Sequence, residues 1–245
     1  MKITNSAEHI AQYIEETRER LGSYPDLYYL HRIDVNTPVE ESIPALQQLK
    51  DDGKVKYIGL SECSAATLRK ACKSTYISLV ALTAVTHIDA LQIEYSPFEL
   101  GSEHNGLMEA ARELGVSVVA YSPLGRGMLT GTIRRYEDLP DGDFRRYLPQ
   151  WSPENLDYNL AIADKFIAIA KAKGCPPSQL VLAWVAEQGV IPIFGTRSAA
   201  RVEENFGASN VSLSPDELSS INKIIKENKP QGLRYPEKMM SRLGN

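Results

Sequence analysis

Short runs of β-forming residues alternate with amphipathic helical patterns along most of this chain. The five β-type runs cover residues 26–31, 55–60, 90–93, 116–119 and 190–193. Strands that alternate with helices are typical of a parallel sheet covered by helices. We therefore expect an α/β fold in which the carboxyl ends of the strands meet at one edge of the sheet.

Local start and stop signals predict where two of the helices lie. Ser6 is a good N-cap residue and Gly22 is a good stop, so a helix is expected between them. Ser214 is followed three residues later by Glu217, which is the spacing of a capping box. That pair predicts a helix up to residue 227.

Two architectures place a ligand at the carboxyl edge of a parallel sheet. One is the eight-stranded (β/α)8 TIM barrel, and the other is a doubly wound open sheet. The barrel is favoured because several separate strand ends, and not one crevice, carry the candidate groups. These strand-end residues are His31, Ser61, Gln92, Tyr121 and Gly195.

Charge, apolar stretches and cysteine spacing argue against several classes of protein. The 245 residues carry a net charge of −4 without a basic stripe, which argues against nucleic acid as a partner. The longest apolar stretch, residues 77–85, is too short to span a membrane. The three cysteines lack metal-ligand spacing, so we expect free thiols, no metal site and a cytoplasmic protein. We treat residues 1–245 as a single domain.

Two segments have the composition of a nucleotide site. Residues 120–127, Ala-Tyr-Ser-Pro-Leu-Gly-Arg-Gly, combine an aromatic ring, a hydroxyl group, glycines and an arginine after a buried strand. Residues 195–201 place two arginines where a helix begins, which suits a phosphate. The alternatives are an ordinary turn and a solvated first helical turn.

Three strand-end residues suit carbonyl chemistry. His31 is able to donate a hydrogen bond to a carbonyl oxygen or act as a general acid, or it is a structural histidine. Ser61 and Gln92 suit a carboxamide, or they are rim groups without a ligand.

In these stretches the chain resembles the aldo-keto reductase superfamily. The matching residues are 26–34, 53–61, 92–97, 119–127, 195–197 and 201–205. The resemblance implies a barrel of eight βα units that reduces aldehydes or ketones with NADPH and uses no metal. It implies a small-molecule carbonyl substrate and does not fix the oligomeric state.

The resemblance also implies roles for individual residues. His31 is similar to the histidine of the catalytic tetrad, while Ser61 and Gln92 fall where the nicotinamide carboxamide is held. Tyr121 matches the ring that stacks on nicotinamide. The pyrophosphate loop is matched by Ser122, Leu124, Gly125 and Arg126. The 2′-phosphate segment is matched by Gly195, Thr196, Arg197 and Arg201, and the adenine side by Glu204 and Asn205. Glu62 stands where some members have asparagine.

Departures from the family pattern lead to further expectations. Five strands are counted where the family has eight, so we expect an incomplete barrel, truncated at its amino terminus, without the first three βα units. The family's tetrad aspartate, tyrosine acid and lysine lie in those units, which predicts weak or absent reductase activity. Residues 73–86 read as an atypical insertion, and residues 130–153 as a long loop over the cofactor site.

Three hypotheses follow. The first is an NADP-dependent aldo-keto reductase, and the second is a non-catalytic NADP-binding or interaction protein derived from one. The third is another barrel enzyme that holds a phosphorylated substrate at residues 195–201.

Overall fold

Strands and helices alternate in the computed structural model, which describes residues 3–73, 75–76 and 84–240. The strands are β1 (Leu27–Leu30), β2 (Tyr57–Ser61), β3 (Thr75–Tyr76), β4 (Ala84–Val85), β5 (Ala90–Glu94), β6 (Ser117–Tyr121) and β7 (Ile191–Ile193). Five of them form a parallel sheet in the order β1-β2-β5-β6-β7, while β3 and β4 pair antiparallel. The predicted α/β fold and its five strands are thereby confirmed.

Ten helices precede, connect and follow the strands of the sheet within the described residues. They are α1 (Ala7–Leu21), α2 (Val39–Asp51), α3 (Ala65–Ala71), α4 (Gly101–His104), α5 (Leu107–Glu113), α6 (Pro153–Lys173), α7 (Pro177–Glu187), α8 (Ala199–Phe206), α9 (Pro215–Glu227) and α10 (Glu237–Met240). No helix in the described part of the chain has the length and apolarity needed to cross a bilayer.

The described residues fall into two compact units. The first unit holds residues 3–73, 75–76, 84–93 and 102–118, and the second holds residues 94–101 and 119–240. The interpretation of residues 1–245 as one domain, and as part of a barrel, stays a prediction. Most of the predicted insertion at residues 73–86 lies outside the described residues, so its status also stays a prediction.

The capping signals act as predicted. The hydroxyl of Ser6 accepts a hydrogen bond from the amide of His9 at 3.3 Å, and Gly22 ends α1 with a φ of 79°. At α9 the Ser214 hydroxyl accepts from the Glu217 amide at 3.3 Å, and the Glu217 carboxylate accepts from the Ser214 amide at 2.8 Å. Both helix starts therefore follow from local side-chain chemistry.

Strand register in the first unit places one glycine under a tyrosine ring. Gly59 of β2 pairs with Tyr29 of β1 on one side and with Ala90 of β5 on the other. A Cβ atom on Gly59 would lie 2.4 Å from Tyr29 ring carbons and 2.9 Å from the Ala90 carbonyl oxygen. Glycine is therefore needed here because the ring crosses the strand directly above its backbone.

The core of the second unit is built around two tryptophans. Trp184 of α7 stacks on Tyr95 with ring centroids 5.9 Å apart, and its indole nitrogen donates to the Asn222 side chain at 3.0 Å. Trp151 is 1% exposed although it lies in the long polar segment between residues 130 and 153.

That segment is a folded connection. It contains three short 3₁₀ turns, Tyr136–Asp138, Phe144–Tyr147 and Pro149–Trp151. Leu139 and Leu148 are each 1% exposed and help to bury the segment against its own unit. The polar composition of the segment does not reveal these buried residues, because they are spaced irregularly along the sequence.

We expect Gly59→Ala to lower the free energy of unfolding by about 1–3 kcal/mol, because the added methyl group overpacks the space under the Tyr29 ring. Urea denaturation followed by circular dichroism measures the change. Gly195→Ala is the control, since a Cβ at Gly195 meets nothing within 4 Å. It should change the free energy of unfolding by less than about 0.5 kcal/mol. Equal effects of the two substitutions would contradict the packing argument.

Candidate functional site

A cavity in the second unit brings together eight of the residues that the sequence predicted for a cofactor. Its volume is about 670 Å³. The loop after β6 and the segment that leads into α8 form its two sides, because Tyr121 of β6 pairs with Ile193 of β7. The eight residues are Ser122, Leu124, Arg126, Gly195, Thr196, Arg201, Glu204 and Asn205.

The start of α8 gives one end of the cavity a positive electrostatic character. Ser198 caps the helix by accepting from the Arg201 amide at 3.4 Å, and the Thr196 hydroxyl accepts from the Ser198 amide at 3.1 Å. Arg197 and Arg201 line an adjoining hollow of about 380 Å³. Their exposed guanidinium groups form no ion pair with any residue that the structure describes. A helix N-terminus with two such arginines suits a phosphate group.

Asn205 presents its side-chain amide to the same cavity. Its residue is only 6% exposed, and its side chain makes no hydrogen bond within the described ranges. The neighbouring Glu204 carboxylate accepts from the Ser178 hydroxyl at 2.5 Å. Because this amide faces the cavity, Asn205 is suited to pair with a ligand that offers a donor and an acceptor side by side.

The loop after β6 takes an unusual backbone path. Ser122 and Arg126 have positive φ angles of 52° and 56°, alongside Gly125 at 57° and Gly127 at 98°. Left-handed conformations at two residues other than glycine are uncommon and mark functional loops more often than ordinary turns. The amides of Gly125 and Gly127 donate to Ser122 and Leu124 carbonyls at 3.0 Å, so these glycines shape the loop.

Sequence reasoning missed a buried carboxylate beside this loop. Glu94, 7% exposed, accepts a hydrogen bond from Arg126 at 2.6 Å and another from Arg234. Arg234 also donates to the Tyr121 hydroxyl at 2.5 Å. Burial raises the pKa of Glu94, while Arg234 and Arg126 act to lower it. The signal in the sequence is weak, an acidic residue at the end of a strand whose other residues, apart from Gln92, are apolar.

In the first unit the structure places Ser61 and Gln92 as neighbours. They pair in register between β2 and β5. Ser61 is 2% exposed, and its hydroxyl accepts from Arg32 at 3.4 Å. The Gln92 side chain hydrogen-bonds the Tyr29 phenol, whose pKa is raised by burial and lowered less by that bond.

His31 and Glu62 complete the polar groups at these strand ends. His31 directly follows β1, as Ser61 ends β2. Glu62 is 5% exposed with a φ of 54°, and its amide donates to the Gln92 carbonyl at 3.0 Å. The unit therefore gathers an imidazole, a hydroxyl, an amide and a carboxylate at the carboxyl ends of adjacent strands.

The chain is similar to proteins of one family along most of its length. The model of the Aldo/keto reductase family matches residues 1–226. An aldo-keto reductase of Gibberella moniliformis is 49% identical over 99% of this chain and 71% of that protein. The aldo-keto reductase yakc (NADP(+)) of Schizosaccharomyces pombe is 41% identical over 96% of this chain and 68% of that protein. The structure of a glycerol dehydrogenase from Gluconobacter oxydans has a TM-score of 0.80 and 27% identity, covering 94% of this chain and 67% of that one.

The environment of His31 generates a prediction about its titration. Desolvation lowers the pKa of His31 below 6.5, and the positive charge of Arg32 lowers it further. Because the folded state then binds fewer protons than the unfolded state, stability should fall as the pH drops below 6.5 toward the folded pKa. NMR titration of the imidazole measures this pKa directly.

Two variants distinguish the effect of desolvation on the pKa of His31 from the effect of the Arg32 charge. Arg32→Gln should raise the pKa of His31 only part of the way, since desolvation is the larger cause. Arg20→Gln, at an exposed position on α1, should leave it unchanged. A His31 that titrates at or above 6.5 in the unaltered protein would contradict this account.

Proposed function

The chain belongs to the aldo/keto reductase family, and on that premise we propose that it binds NADPH and transfers a hydride from it to an aldehyde or ketone. The observation that carries the proposal is the cavity of the second unit, which joins a phosphate-binding end to an unpaired amide. NADPH, when bound, supplies the hydride. The residues of the chain bind and orient it and polarise the substrate carbonyl.

The residues lining the cavity fit the adenosine half of NADP(H). Arg197, Arg201 and Thr196 at the start of α8 would hold the 2′-phosphate, which is the group that distinguishes NADP from NAD. Asn205 would pair with the adenine edge, because the side chain offers a donor and an acceptor that nothing else in the described residues uses. Glu204 would contribute on the same side.

The pyrophosphate and nicotinamide would continue along the loop after β6. Ser122, Leu124, Gly125 and Arg126 would follow the pyrophosphate, and the ring of Tyr121 would stack on the nicotinamide. The Arg126 guanidinium would remain bound to Glu94. Arg126 would therefore contribute to the shape of the loop and supply a positive charge that Glu94 partly neutralises. Ser61 and Gln92 would hold the carboxamide, and Gly195 would allow close approach to the phosphate.

His31 would act on the substrate. A histidine with a lowered pKa is neutral near pH 7, so an imidazole N–H is available to donate to a carbonyl oxygen. That hydrogen bond polarises the carbonyl and favours hydride addition.

Hydride addition converts the carbonyl oxygen into an alkoxide, which needs a proton donor. A second candidate function is a non-catalytic NADP-binding protein that uses the second-unit cavity alone. It is favoured by the placement of the groups suited to the 2′-phosphate and the adenine, which all lie in that unit.

Removing one arginine tests the cofactor assignment. Arg201→Ala should weaken NADPH binding by about 10- to 100-fold, because a charge-assisted contact to the 2′-phosphate is lost. NADH binding should change by less than about twofold, since NADH lacks that phosphate. Fluorescence titration measures both affinities, with Arg20→Ala as the exposed control. Equal losses for NADPH and NADH would refute a 2′-phosphate role.

Turnover distinguishes the two candidate functions. With 4-nitrobenzaldehyde the reductase is expected to oxidise NADPH at a measurable rate, whereas the non-catalytic protein is not. His31→Gln should lower this rate by at least about tenfold and leave NADPH affinity unchanged. Binding without any turnover would favour the non-catalytic protein, and absence of NADPH binding would remove both. A rate that His31→Gln leaves unchanged would contradict the proposed role of His31.

A further inference from the structure

Residues 231–235 form a strap that is fixed to the second unit. Asn159, which is fully buried on α6, accepts from the Gln231 amide at 2.8 Å and donates to its carbonyl at 2.9 Å. Gly232 follows with a φ of 87°, and a Cβ there would lie 2.6 Å from the carbonyl group of Pro149. The strap is therefore held by two hydrogen bonds between the Asn159 side chain and the Gln231 backbone, and by a close approach at Gly232 that only glycine allows.

The next part of the strap reaches the end of β6. Arg234 donates from Nη2 to the Tyr121 hydroxyl at 2.5 Å and from Nε to the Glu94 carboxylate. Arg126 donates to the same carboxylate at 2.6 Å and to the Arg234 carbonyl oxygen at 3.0 Å. The Glu94 carboxylate, at the end of β5, thus connects the strap to the loop after β6. The hydrogen bond of Arg234 to Tyr121 connects the strap to the end of β6.

Aromatic faces complete this cluster. The Arg126 guanidinium lies 4.4 Å from the centroid of the Tyr235 ring, and that of Arg234 lies 5.3 Å from it. Arg234 also lies 5.7 Å from the centroid of the Tyr121 ring. Cation–π contacts of this kind favour the arginines in fixed positions.

We propose that Arg234, held by Glu94, is a positioning residue that fixes the Tyr121 ring for the nicotinamide half of the cofactor. The inference rests on the proposed function. The Tyr121 ring is attached at Cβ to a sheet strand and is held at its hydroxyl by Arg234, so both ends of the ring axis are set. A ring fixed before binding loses less conformational entropy when a second ring stacks on it.

The contacts of Arg234 and the groups that would hold the adenosine half lie on different elements. Arg234 contacts the Tyr121 hydroxyl and the Glu94 carboxylate, whereas Arg201 and Asn205 belong to α8. A positioning role therefore predicts a selective effect on the nicotinamide half, whereas a purely structural role predicts a general loss.

Two ligands separate these outcomes. NADPH contains both halves of the cofactor, and adenosine 2′,5′-bisphosphate lacks the nicotinamide half. We expect Arg234→Gln to weaken NADPH binding about 5- to 20-fold, as expected for loss of a charged hydrogen bond, and to change bisphosphate binding by less than about twofold. Arg234→Lys should give an intermediate loss, since one ammonium group cannot reproduce the arginine fork.

Tyr121→Phe is the second variant, because it removes only the hydroxyl group and keeps the ring. It should reproduce the selective loss for NADPH even if the Arg234 variants are poorly folded. Arg20→Gln is the matched surface control, and thermal melts report the folding of each variant. Isothermal titration calorimetry measures all affinities.

Distinct results overturn the two proposals. If the unaltered protein binds neither ligand, the proposed function fails and the strap inference falls with it. If it binds both, and Arg234→Gln and Tyr121→Phe weaken both ligands equally or neither ligand, the positioning role alone is overturned. A selective loss for NADPH in both variants supports it.

Discussion

Parallel pairing of neighbouring strands is the constraint on which the candidate residues of each unit depend. In the first unit the pairing of Ser61 with Gln92 brings a hydroxyl group next to an amide. In the second unit the pairing of Tyr121 with Ile193 brings the loop after β6 next to the segment that enters α8. Because parallel strands end at the same edge, residues that follow different strands meet without any sequence signal for the contact.

The buried carboxylate of Glu94 adds a second constraint within the second unit. A charge in such surroundings is tolerated when cations and hydrogen bonds compensate for its lost hydration. Arg126 and Arg234 meet that need, and each thereby becomes unable to move independently of the strand end. The arrangement gives little net stability, since ion pairs that are buried recover about what their desolvation costs. Its consequence is geometric, because the strap, the loop and Tyr121 are held to one point.

The parts of the structure that the sequence predicted correctly depend on local interactions. The Ser6 cap, the Gly22 stop and the Ser214–Glu217 capping box act within one helical turn, and the five strands follow from short β-forming runs. The strap was not foreseen, because Arg234 contacts a carboxylate 140 positions away in the chain. The choice of that partner depends on tertiary packing, which periodicity and capping patterns do not encode.

The candidate site residues divide in the same way. The segment at 195–201 was recognisable because a helix start and its arginines are adjacent in sequence, and the cavity unites it with the 122–126 loop. For Asn205 the structure adds that a residue only 6% exposed lines this cavity, which the sequence alone does not show. The hydrogen bond between the side chains of Gln92 and Tyr29 was likewise not predictable, because it depends on the three-dimensional arrangement of the two strands.

Cofactor binding and hydride transfer would depend on different groups of this chain. Cofactor affinity would come chiefly from the 2′-phosphate and adenine contacts, and all of the groups suited to them lie within the second unit. Hydride transfer also demands a proton donor, and His31 with its lowered pKa offers a hydrogen bond but little proton supply at neutral pH. On the proposed function, the first set of groups would bind NADP(H) independently of the second. The strap would contribute neither to phosphate affinity nor to proton supply, so its effect should appear only where the nicotinamide ring would meet Tyr121.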